Sequence, residues 1–430
     1  MRIAIIGAGV SGNVAARLLW PEHDITLFEA GDHVGGHAQT VDFQAWGKSW
    51  SVDTGFMVFN QRTYPHFCRL LDLLGVAPED SDMSFSVRCQ RTGLEYQGSS
   101  LDGVFAQRMN LLRPSFLAML RSIVRFNREA PAWLDESDEE LSLGEYLDGR
   151  RYARSFVDHY LLPMTAAVWS APPDRLRGFP ARYLFSFFRN HGIFELQNRP
   201  PWKTVSGRSR SYVEQLVRPF RDRIRLNTPI ASVRRTGDGV EVRPIGEPAE
   251  RFDHVVLAVH SDQALRMLAD PSDDERRILG AMPYQRNKAV LHLDASLLPR
   301  RRRAWASWNY HIPADADLPV SVTYDLRRLQ NIPAPAPILL TLNPTTPLRP
   351  ELVLRHLEYH HPQYDQRSLA AQRGREAING RRNTWYCGAY WGYGFHEDGV
   401  RSALDVAQAF GKSLDACTVA CTKEPLSITA

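Results

Sequence analysis

The sequence has few cysteines for its length, and their positions exclude two roles. Five cysteines occur among the 430 residues, namely Cys68, Cys89, Cys387, Cys417 and Cys421. An odd number argues against a disulfide framework, and the spacings match no zinc-binding pattern. The chain also lacks a long apolar run, so no transmembrane helix is predicted. We therefore expect no metal site and a fold that depends on its apolar core.

A strong excess of charge of either sign is also missing. Lysine and arginine number 52 and aspartate and glutamate 48, a net charge of +4, which is not typical of a nucleic-acid-binding protein. The hydrophobic fraction of 43% and the charged fraction of 23% are those of a soluble globular protein that is long enough for two domains. Because the first predicted strand begins at residue 2, we expect no signal peptide and a cytoplasmic location.

The strongest motif lies near the start of the chain. The apolar pattern predicts three elements there, the strand Arg2–Ile6, the helix Asn13–Trp20 and the strand Ile25–Phe28. Between the first strand and the helix, Gly7, Gly9 and Gly12 form the pattern G-x-G-x-x-G. Glycines at this spacing permit a tight turn, a close approach to a diphosphate and close helix–strand packing. The helix N-terminus offers N–H groups to phosphates, so the motif predicts a Rossmann-like dinucleotide site.

An acid and a glycine pair indicate which dinucleotide is bound. Glu29 ends the second strand, where a carboxylate would hold the ribose hydroxyls. Gly35 and Gly36 follow, and this pair resembles the signature of glutathione-reductase-type FAD proteins. That family usually has arginine next, whereas this chain has His37. The resemblance implies FAD, and the absence of a second G-x-G-x-x-G motif argues against a separate NAD(P)H domain.

The FAD domain is predicted to be discontinuous. Its segments are residues 1–80, 203–280 and 380–415, with a short acid- and glycine-containing turn at Val52–Gly55 and a buried strand at His254–Val259. Residues 81–202 and 281–379 predict an inserted α+β domain that binds the substrate, and residues 416–430 a tail. The predicted fold class is therefore α/β, a Rossmann-like FAD-binding domain of glutathione-reductase type with an inserted substrate domain.

Together these motifs resemble the flavin amine oxidase superfamily, which includes monoamine oxidases, protoporphyrinogen oxidase and phytoene-type desaturases. The matching segments are Gly7–Gly36, Val52–Gly55, Val205–Leu216, Val233, Val255–Val259 and Cys387–Ala407. Four others, Leu291–His311, Val322–Gln330, His360–Asp365 and Gly388–Gly399, resemble a bacterial branch whose genes often lie beside cyclopropane-fatty-acid-synthase-like methyltransferases. That association implies a fatty-acyl or lipid-like substrate.

The resemblance also implies which residues hold a non-covalent FAD. They are Gly7, Gly9, Val10, Ser11, Gly12, Glu29, Ala30, Gly35, Gly36, His37, Thr54, Gly55, Phe56, Val233, Gly388, Gly399 and Val400. A helix that begins at Gly399 would point its N-terminus at the flavin. Ala389 replaces the acid that the family usually has after the last strand, so Glu397 and Asp398 either substitute for it or cap the helix.

Four residues are candidates for the chemistry, namely Lys288, Trp391, Tyr393 and His396, and His292 is considered beside them. By resemblance, Lys288 would hold a water near the flavin, although strand alternation could equally turn it to solvent. His292 shares its strand face and is either a base or a packed histidine. In the aromatic loop Tyr390–His396, we expect Trp391, Tyr393 and His396 to contact substrate or flavin, and His396 to titrate. The alternative is that this loop only shields the flavin.

Other segments predict where substrate and membrane would bind. The aromatic stretch Phe179–Leu196 would line an acyl tunnel, and one face of the alternating strand Ala304–His311 faces either the cavity or the core. The arginines Arg300–Arg303 and the basic amphipathic helix Pro114–Arg128 are either solvated or dock on an anionic membrane. Such docking at the inner membrane surface would suit an acyl chain that is still attached to a phospholipid.

We therefore predict an FAD-dependent oxidoreductase that removes hydride from an apolar, fatty-acyl or lipid-like substrate by dehydrogenation or desaturation. Oxygen or a quinone would reoxidise the flavin. One alternative is a flavin amine oxidase that acts on a C–N bond. Another is a flavin-binding partner protein without turnover. The sequence leaves the oligomeric state open.

Overall fold

The computed structural model describes residues 1–169, 173–195, 199–315, 318 and 320–414. The predicted tail, Cys417, Cys421 and Leu196 at the end of the predicted tunnel stretch lie outside the described residues. The strands are β1 (Arg2–Ile6), β2 (Asp24–Phe28), β3 (Thr40–Ala45), β4 (Lys48–Asp53), β5 (Pro78–Asp80), β6 (Phe85–Cys89), β7 (Leu94–Gln97), β8 (Lys203–Val205), β9 (Ile224–Arg225), β10 (Ile230–Thr236), β11 (Gly239–Pro244), β12 (Glu250–Phe252), β13 (His254–Leu257), β14 (Tyr284–His292), β15 (Trp308–Ile312), β16 (Ser321–Asp325), β17 (Leu339–Leu342), β18 (Val353–Pro362) and β19 (Thr384–Tyr386). The helices are α1 (Val10–Leu19), α2 (Pro65–Leu74), α3 (Leu101–Val104), α4 (Pro114–Glu136), α5 (Leu143–Arg150), α6 (Arg154–Phe156), α7 (Leu162–Trp169), α8 (Pro173–Leu176), α9 (Ala181–Asn190), α10 (Ser209–Val217), α11 (Ser261–Met267), α12 (Asp273–Leu279), α13 (Leu326–Leu329), α14 (Gln366–Arg373) and α15 (His396–Ala409).

A five-stranded parallel sheet has the order β19-β13-β1-β2-β9. The central strand β1 pairs with β13 and β2, so that Ile5 lies opposite both Val256 and Leu27. These strands are short and consist largely of buried apolar residues, which is typical of parallel strands covered on both faces. Residues 2–28, 224–257 and 384–386 supply the strands. Each of the three segments predicted to form the FAD domain therefore contributes to one sheet.

The helices that flank this sheet begin earlier than the sequence pattern predicted. Helix α1 begins at Val10 because Gly9, in an extended conformation, is its N-cap. Helix α15 begins at His396 and not at Gly399. The carboxylate of Asp398 accepts hydrogen bonds from the backbone N–H groups of Phe395 and Tyr393, both 3.0 Å long, and this cap starts the helix one turn sooner.

The inserted domain is built on a seven-stranded mixed sheet of order β18-β14-β17-β16-β15-β6-β7. Strand β6 runs parallel to β15, with Phe85 opposite Trp308, and thereby joins the two inserted segments in one sheet. Helices α4, α7 and α9 belong to the same apolar core as this sheet. Within the described residues, no helix has both the length and the apolar character needed to cross a bilayer.

The segments predicted to form the two domains are joined at Asp53, the last residue of β4. The buried side-chain amide of Gln330 accepts a hydrogen bond from the backbone N–H of Asp53 (2.9 Å) and donates one to its carbonyl (2.8 Å). The Asp53 carboxylate accepts hydrogen bonds from Ser209 N at the start of α10 (2.8 Å) and from Thr40 Oγ1 (2.7 Å). Burial nevertheless raises the pKa of Asp53 to about 6. The inserted domain is thus fixed immediately before the turn at Thr54.

Candidate functional site

A cavity of about 1110 Å³ is shared by the two domains. On the side of the parallel sheet it is bounded by the loop between β1 and α1. On the other side it is bounded by the face of the seven-stranded sheet and by α7 and α9. The predicted cofactor contacts that line it are Gly7, Gly9, Val10, Ser11, Glu29, Ala30, Gly35, Gly36, His37, Thr54, Gly55, Phe56 and Gly388.

The glycines form a cradle that side chains would fill. Gly7 has φ +102°, and a Cβ atom there would lie 2.6 Å from the carbonyl oxygen of Ala258. A Cβ atom on Gly36 would lie 3.1 Å from the Cα atom of Gly9, and Gly35 N donates to the Ala8 carbonyl (2.7 Å). No side chain caps the N-terminus of α1, and no acidic residue lies in its first turn. This geometry and polarity fit the diphosphate of a dinucleotide.

Glu29 is held in one orientation at the same end of the cavity. Its Oε2 atom accepts a hydrogen bond from Ala8 N (2.7 Å), and its Oε1 atom accepts one from Gly31 N (2.8 Å). The residue is half-buried and lines the cavity beside Ala30. A fixed carboxylate beside the cradle fits the predicted contact to ribose hydroxyls.

Four residues predicted to touch the cofactor lie behind the cavity wall instead. A Cβ atom on Gly12 would lie 1.8 Å from the Gly7 carbonyl, and one on Gly399 would lie 2.7 Å from Val10 Cγ1. These glycines therefore permit close packing of α1 against the preceding loop and against α15. Val233 and Val400 are fully buried in the apolar core. Residues 228–231, just before Val233, line the cavity in its place.

Both acids at the start of α15 cap helices. Glu397 accepts hydrogen bonds from the backbone N–H groups of His66 (3.0 Å) and Phe67 (2.9 Å) at the start of α2. Asp398 caps α15 itself. Of the two predicted roles for this pair, helix capping therefore matches the contacts of both acids. Ser11 Oγ donates to the Gly399 carbonyl (3.0 Å) and thereby ties α15 to α1. The N-terminal turns of these two helices consequently meet at the cavity.

His396 lines the cavity but does not fit the role of a titratable group. Its ring stacks on Phe56 with the centroids 3.8 Å apart, and its Nε2 atom lies 2.6 Å from the hydroxyl of Tyr212. Burial, together with the nearby His37, lowers the pKa of His396 to about 3. The ring is therefore neutral at physiological pH and forms part of an aromatic wall.

Two other candidates for the chemistry lie away from the cavity. Lys288 is on the predicted strand, β14, but its side chain is exposed, which is the solvent-facing alternative. Trp391 is buried behind the cavity wall, with the Arg375 guanidinium 5.4 Å from its ring centre. His292 is fully buried, and its Nε2 atom lies 2.8 Å from Thr341 Oγ1, so it is a packed histidine.

Tyr393 does line the cavity, and helices α7 and α9 hold it there. Its ring centre lies 4.6 Å from that of Tyr183 and 5.4 Å from that of Phe187. Trp169 Nε1 donates to the Tyr393 carbonyl (3.2 Å), and the Tyr183 hydroxyl donates to the Gly392 carbonyl (2.8 Å). Residues 187 and 191–193, from the predicted tunnel stretch, also line the cavity.

The part of the cavity inside the inserted domain is largely apolar, although Ser84, Ser99 and Arg199 also line it. Its lining includes Met83, Phe85, Met164, Val168, Trp308, Leu340 and Leu342. From the alternating strand predicted at Ala304–His311, only Trp308 reaches the cavity, with a buried Nε1 atom that has no hydrogen-bond partner. The opposite face, which carries Ser307 and Asn309, is buried in hydrogen bonds to neighbouring strands.

Sequence reasoning missed a group of histidines on one wall of the cavity. His37 lies 5.7 Å from His361 and 6.4 Å from His260, measured between ring centres, and His260 lies 6.1 Å from His360. Burial lowers the pKa of His37 and of His260 to about 4, and that of His361 to about 3. The Nε2 atom of His37 is buried without a hydrogen-bond partner. These imidazoles come from three distant segments, so no local pattern indicates their convergence.

No group of three or more His, Cys, Asp and Glu side chains is arranged to hold a metal ion in the portion of the chain that the structure describes. The three cysteines in that portion, Cys68, Cys89 and Cys387, do not line the cavity. The cavity thus offers a candidate nucleotide site and an apolar chamber. The neutral histidines His37, His260 and His361 lie on a wall that is common to both parts.

Comparisons with known proteins identify the family of the chain. A sequence profile of the family described as flavin containing amine oxidoreductase matches residues 10–301. A flavin-containing amine oxidase of Danio rerio is 24% identical over 277 residues, which are 63% of this chain and 52% of that protein. The chain therefore spans about half the length of that relative.

Solved structures share the fold. The CLA-producing fatty acid isomerase from P. acnes superposes with a TM-score of 0.67 at 16% identity, covering 95% of this chain and 98% of its own. The cyclohexylamine oxidase from Brevibacterium oxydans IH-35A has the same TM-score of 0.67 at 15% identity, with 95% and 98% covered. The predicted fold class is confirmed. The chain belongs to the flavin-containing amine oxidoreductase family, as its motifs predicted, and membership implies a flavin cofactor.

Proposed function

We propose that this protein is an FAD-dependent oxidoreductase that removes hydride from an apolar, lipid-like substrate. The observation that carries the proposal is the single cavity, which joins the glycine cradle to the apolar chamber. Among the described residues that line this cavity, Glu29 is the only acidic one, and it lies at the nucleotide end. An apolar chain would gain about 25 cal/mol for each Å² of surface that it buries in the chamber. A charged amine would find no carboxylate partner in the lining.

Bound FAD would supply the hydride acceptor. The N-terminus of α1 and the glycines would hold its diphosphate, and Glu29 its ribose. We expect no covalent link through Cys387, because it is fully buried outside the lining and its burial raises its pKa to about 12. Acid precipitation should accordingly release the flavin into the supernatant.

Removal of hydride from one carbon and a proton from its neighbour forms a carbon–carbon double bond, and the proton needs an acceptor. His191 lines the cavity, and its Nδ1 atom lies 2.9 Å from the Phe187 carbonyl. A proton on Nδ1 would be donated there, which leaves Nε2 as a free acceptor. The pKa of His191, like that of His396, is lowered by burial, in this case to about 4, so the ring is a weak base at pH 7. We assign His191 the role of receiving the proton on geometry, because the Nε2 atom of His396 is already engaged by the Tyr212 hydroxyl.

Anaerobic reduction of the bound flavin tests this proposal. We expect a free fatty acid or a phospholipid to bleach the yellow protein, and putrescine or cyclohexylamine to leave it coloured. Replacing Val168, which lines the chamber, by Trp should slow the bleaching at least about tenfold through steric exclusion with unchanged flavin content. The control is Ile245→Trp, at a surface position that is 63% exposed, where we expect no change.

A second candidate function is oxidation of an amine. The aromatic side chains of the lining favour it, because Tyr393, Phe187 and Phe395 line the cavity and aromatic rings can bind a cation. Bleaching by amines alone would support this candidate and refute the lipid-like substrate. A yellow protein that neither class reduces would indicate a flavin-binding partner protein, and a protein that takes up no flavin would refute all three. We further propose that oxygen or a quinone reoxidises the flavin, and that the protein acts in the cytoplasm.

A further inference from the structure

Exposed apolar side chains are concentrated on one surface of the inserted domain. Leu101 is 79% exposed, Met109 73%, Leu111 50% and Leu112 77%. They lie on α3 and on the short 3₁₀ helix Arg108–Leu112 that follows it. We call these four residues the apolar patch. Apolar side chains grouped in this way on a surface usually mark a contact with another molecule or with a membrane.

The elements around the apolar patch lie side by side. Asp102 on α3 pairs with Arg108 of the 3₁₀ helix, and its Oδ2 atom lies 3.7 Å from Nε of Arg303. Arg113, which precedes α4, donates to the carbonyl of Thr92 in the hairpin between β6 and β7 (2.8 Å). The patch is therefore bordered by that hairpin, by α4 and by the run of arginines Arg300–Arg303, which we call the arginine run.

The border is strongly basic. Its arginines are Arg91, Arg108, Arg113, Arg121, Arg154 and Arg303. Arg154 is 94% exposed, and α6 is tied to the start of α4 by a hydrogen bond from Ser155 Oγ to the Ser115 carbonyl (2.7 Å). The acids here are Asp102, Asp158, which pairs with Arg154 (3.2 Å), and the buried Glu95, which accepts hydrogen bonds from the backbone of the arginine run. Positive charge therefore exceeds negative charge around the patch.

One arginine of the basic helix predicted at Pro114–Arg128 does not contribute. Arg125 pairs with Glu129 (2.8 Å), and its guanidinium lies 4.7 Å from the ring centre of Tyr152. Val124, in contrast, is 59% exposed on the outer face of α4, between Arg121 and Arg128. The outer face thus alternates basic and apolar side chains, a pattern that fits the headgroup region of a bilayer.

The cavity reaches the same region. Gly98 and Ser99 line the cavity, Ser100 caps α3, and Leu101 of the patch comes next. Tyr160, which also lines the cavity, follows α6 and its exposed Arg154 in the chain. A lipid chain at the patch would consequently lie next to residues that line the cavity.

We propose that this surface docks on an anionic lipid bilayer. The apolar patch enters the boundary between headgroups and acyl chains, while the surrounding arginines bind lipid phosphates. Only the purpose of docking, delivery of a lipid substrate to the cavity, rests on the proposed function. The docking itself is a separate property of the surface.

Flotation with vesicles tests the apolar part. The intact flavoprotein should float with vesicles of phosphatidylcholine and phosphatidylglycerol and remain below with phosphatidylcholine alone. The double variant Leu111→Ser/Leu112→Ser should bind the anionic vesicles at least about tenfold more weakly. The control Ile245→Ser alters a residue that is 63% exposed in the loop between β11 and β12, and we expect it to float like the wild type.

The charge part has its own variants. Arg121→Gln and Arg154→Gln should each weaken binding roughly fivefold at low salt, and high salt should release the wild type. Equal flotation with and without anionic lipid, or a double variant that floats like the wild type, would overturn the proposal. If the wild type does not float but forms a dimer, and the double variant is a monomer, the patch would be assigned to self-association instead. Bleaching by detergent-solubilised lipid in a protein that does not float would refute docking and leave the proposed function intact.

Discussion

At the scale of single residues, His37 departs from the glutathione-reductase-type FAD signature that the glycine pair resembles. That signature usually has arginine after the pair, a cation at all physiological pH values. Here the side chain is an imidazole whose pKa is lowered to about 4 by burial and by the nearby His360. Its Nε2 atom is buried at the cavity without a partner. We expect it to hydrogen-bond the bound flavin nucleotide.

Replacement of His37 tests that contact. His37→Ala should raise the dissociation constant for FAD about tenfold, the effect of losing a hydrogen bond to a charged group, and His37→Arg should restore tight binding. Flavin fluorescence titration measures both values. His33→Ala is the matched control, since that ring is 47% exposed and pairs with Asp32. Equal affinities for His37→Ala and the wild type would contradict this role.

At this scale the sequence indicates features that backbone geometry decides better than features that packing decides. Gly7 and Gly36 were predictable because their close backbone contacts exclude a Cβ atom. The neutral state of His396 depends on burial, to which the stacked Phe56 contributes, and on the nearby His37, and both residues are distant in sequence. The exposure of Lys288 likewise depends on which face of β14 the neighbouring elements cover.

At the scale of elements, the close contact between α1 and α15 shapes the candidate nucleotide site. Gly399 makes the contact possible because even a Cβ atom would lie 2.7 Å from Val10 Cγ1 and 3.0 Å from Ser11 Oγ. The sequence predicted both helices but placed both starts too late. Helix α1 starts where the backbone of Gly9 forms its N-cap, and α15 starts where the carboxylate of Asp398 caps it. Hydrophobic periodicity does not indicate either cap.

We expect Gly399→Ala to push the two helices apart. The variant should lose about 1 to 3 kcal/mol of unfolding free energy through overpacking and bind FAD more weakly, because the N-terminus of α1 moves. Gly149→Ala in α5 is the control, since a Cβ atom there meets nothing within 4 Å and should add about 0.5 kcal/mol through helix propensity. Urea denaturation and flavin titration measure the two effects. Unchanged stability of Gly399→Ala would contradict the close packing.

At the scale of the whole molecule, one cavity is lined by segments from across the chain. The order of segments was predictable because apolar strands and glycine turns mark each of them. The apolar chamber was not, because Met83, Met164 and Leu340 meet only after the seven-stranded sheet has formed.

Removal of the flavin should therefore loosen distant segments together. In hydrogen exchange, we expect FAD to slow exchange simultaneously in Gly7–Gly36, Thr228–Ala231 and Gly388–His396. The turn Gly237–Gly239, which lies outside the cavity lining, should not respond. At a free concentration of about a thousand dissociation constants, FAD should stabilise the fold by about 4 kcal/mol. Protection confined to the first segment would contradict a site built from all three.

The bidentate contact between Gln330 and the backbone of Asp53 also bears on turnover. It fixes the end of β4 to the residue that follows α13, directly beside Thr54, which lines the cavity. A hinge motion that separates Gln330 from Asp53 would break both hydrogen bonds of the fully buried Gln330 amide. We therefore expect turnover to be limited by the rates at which substrate enters and product leaves the cavity, and not by closure of a hinge.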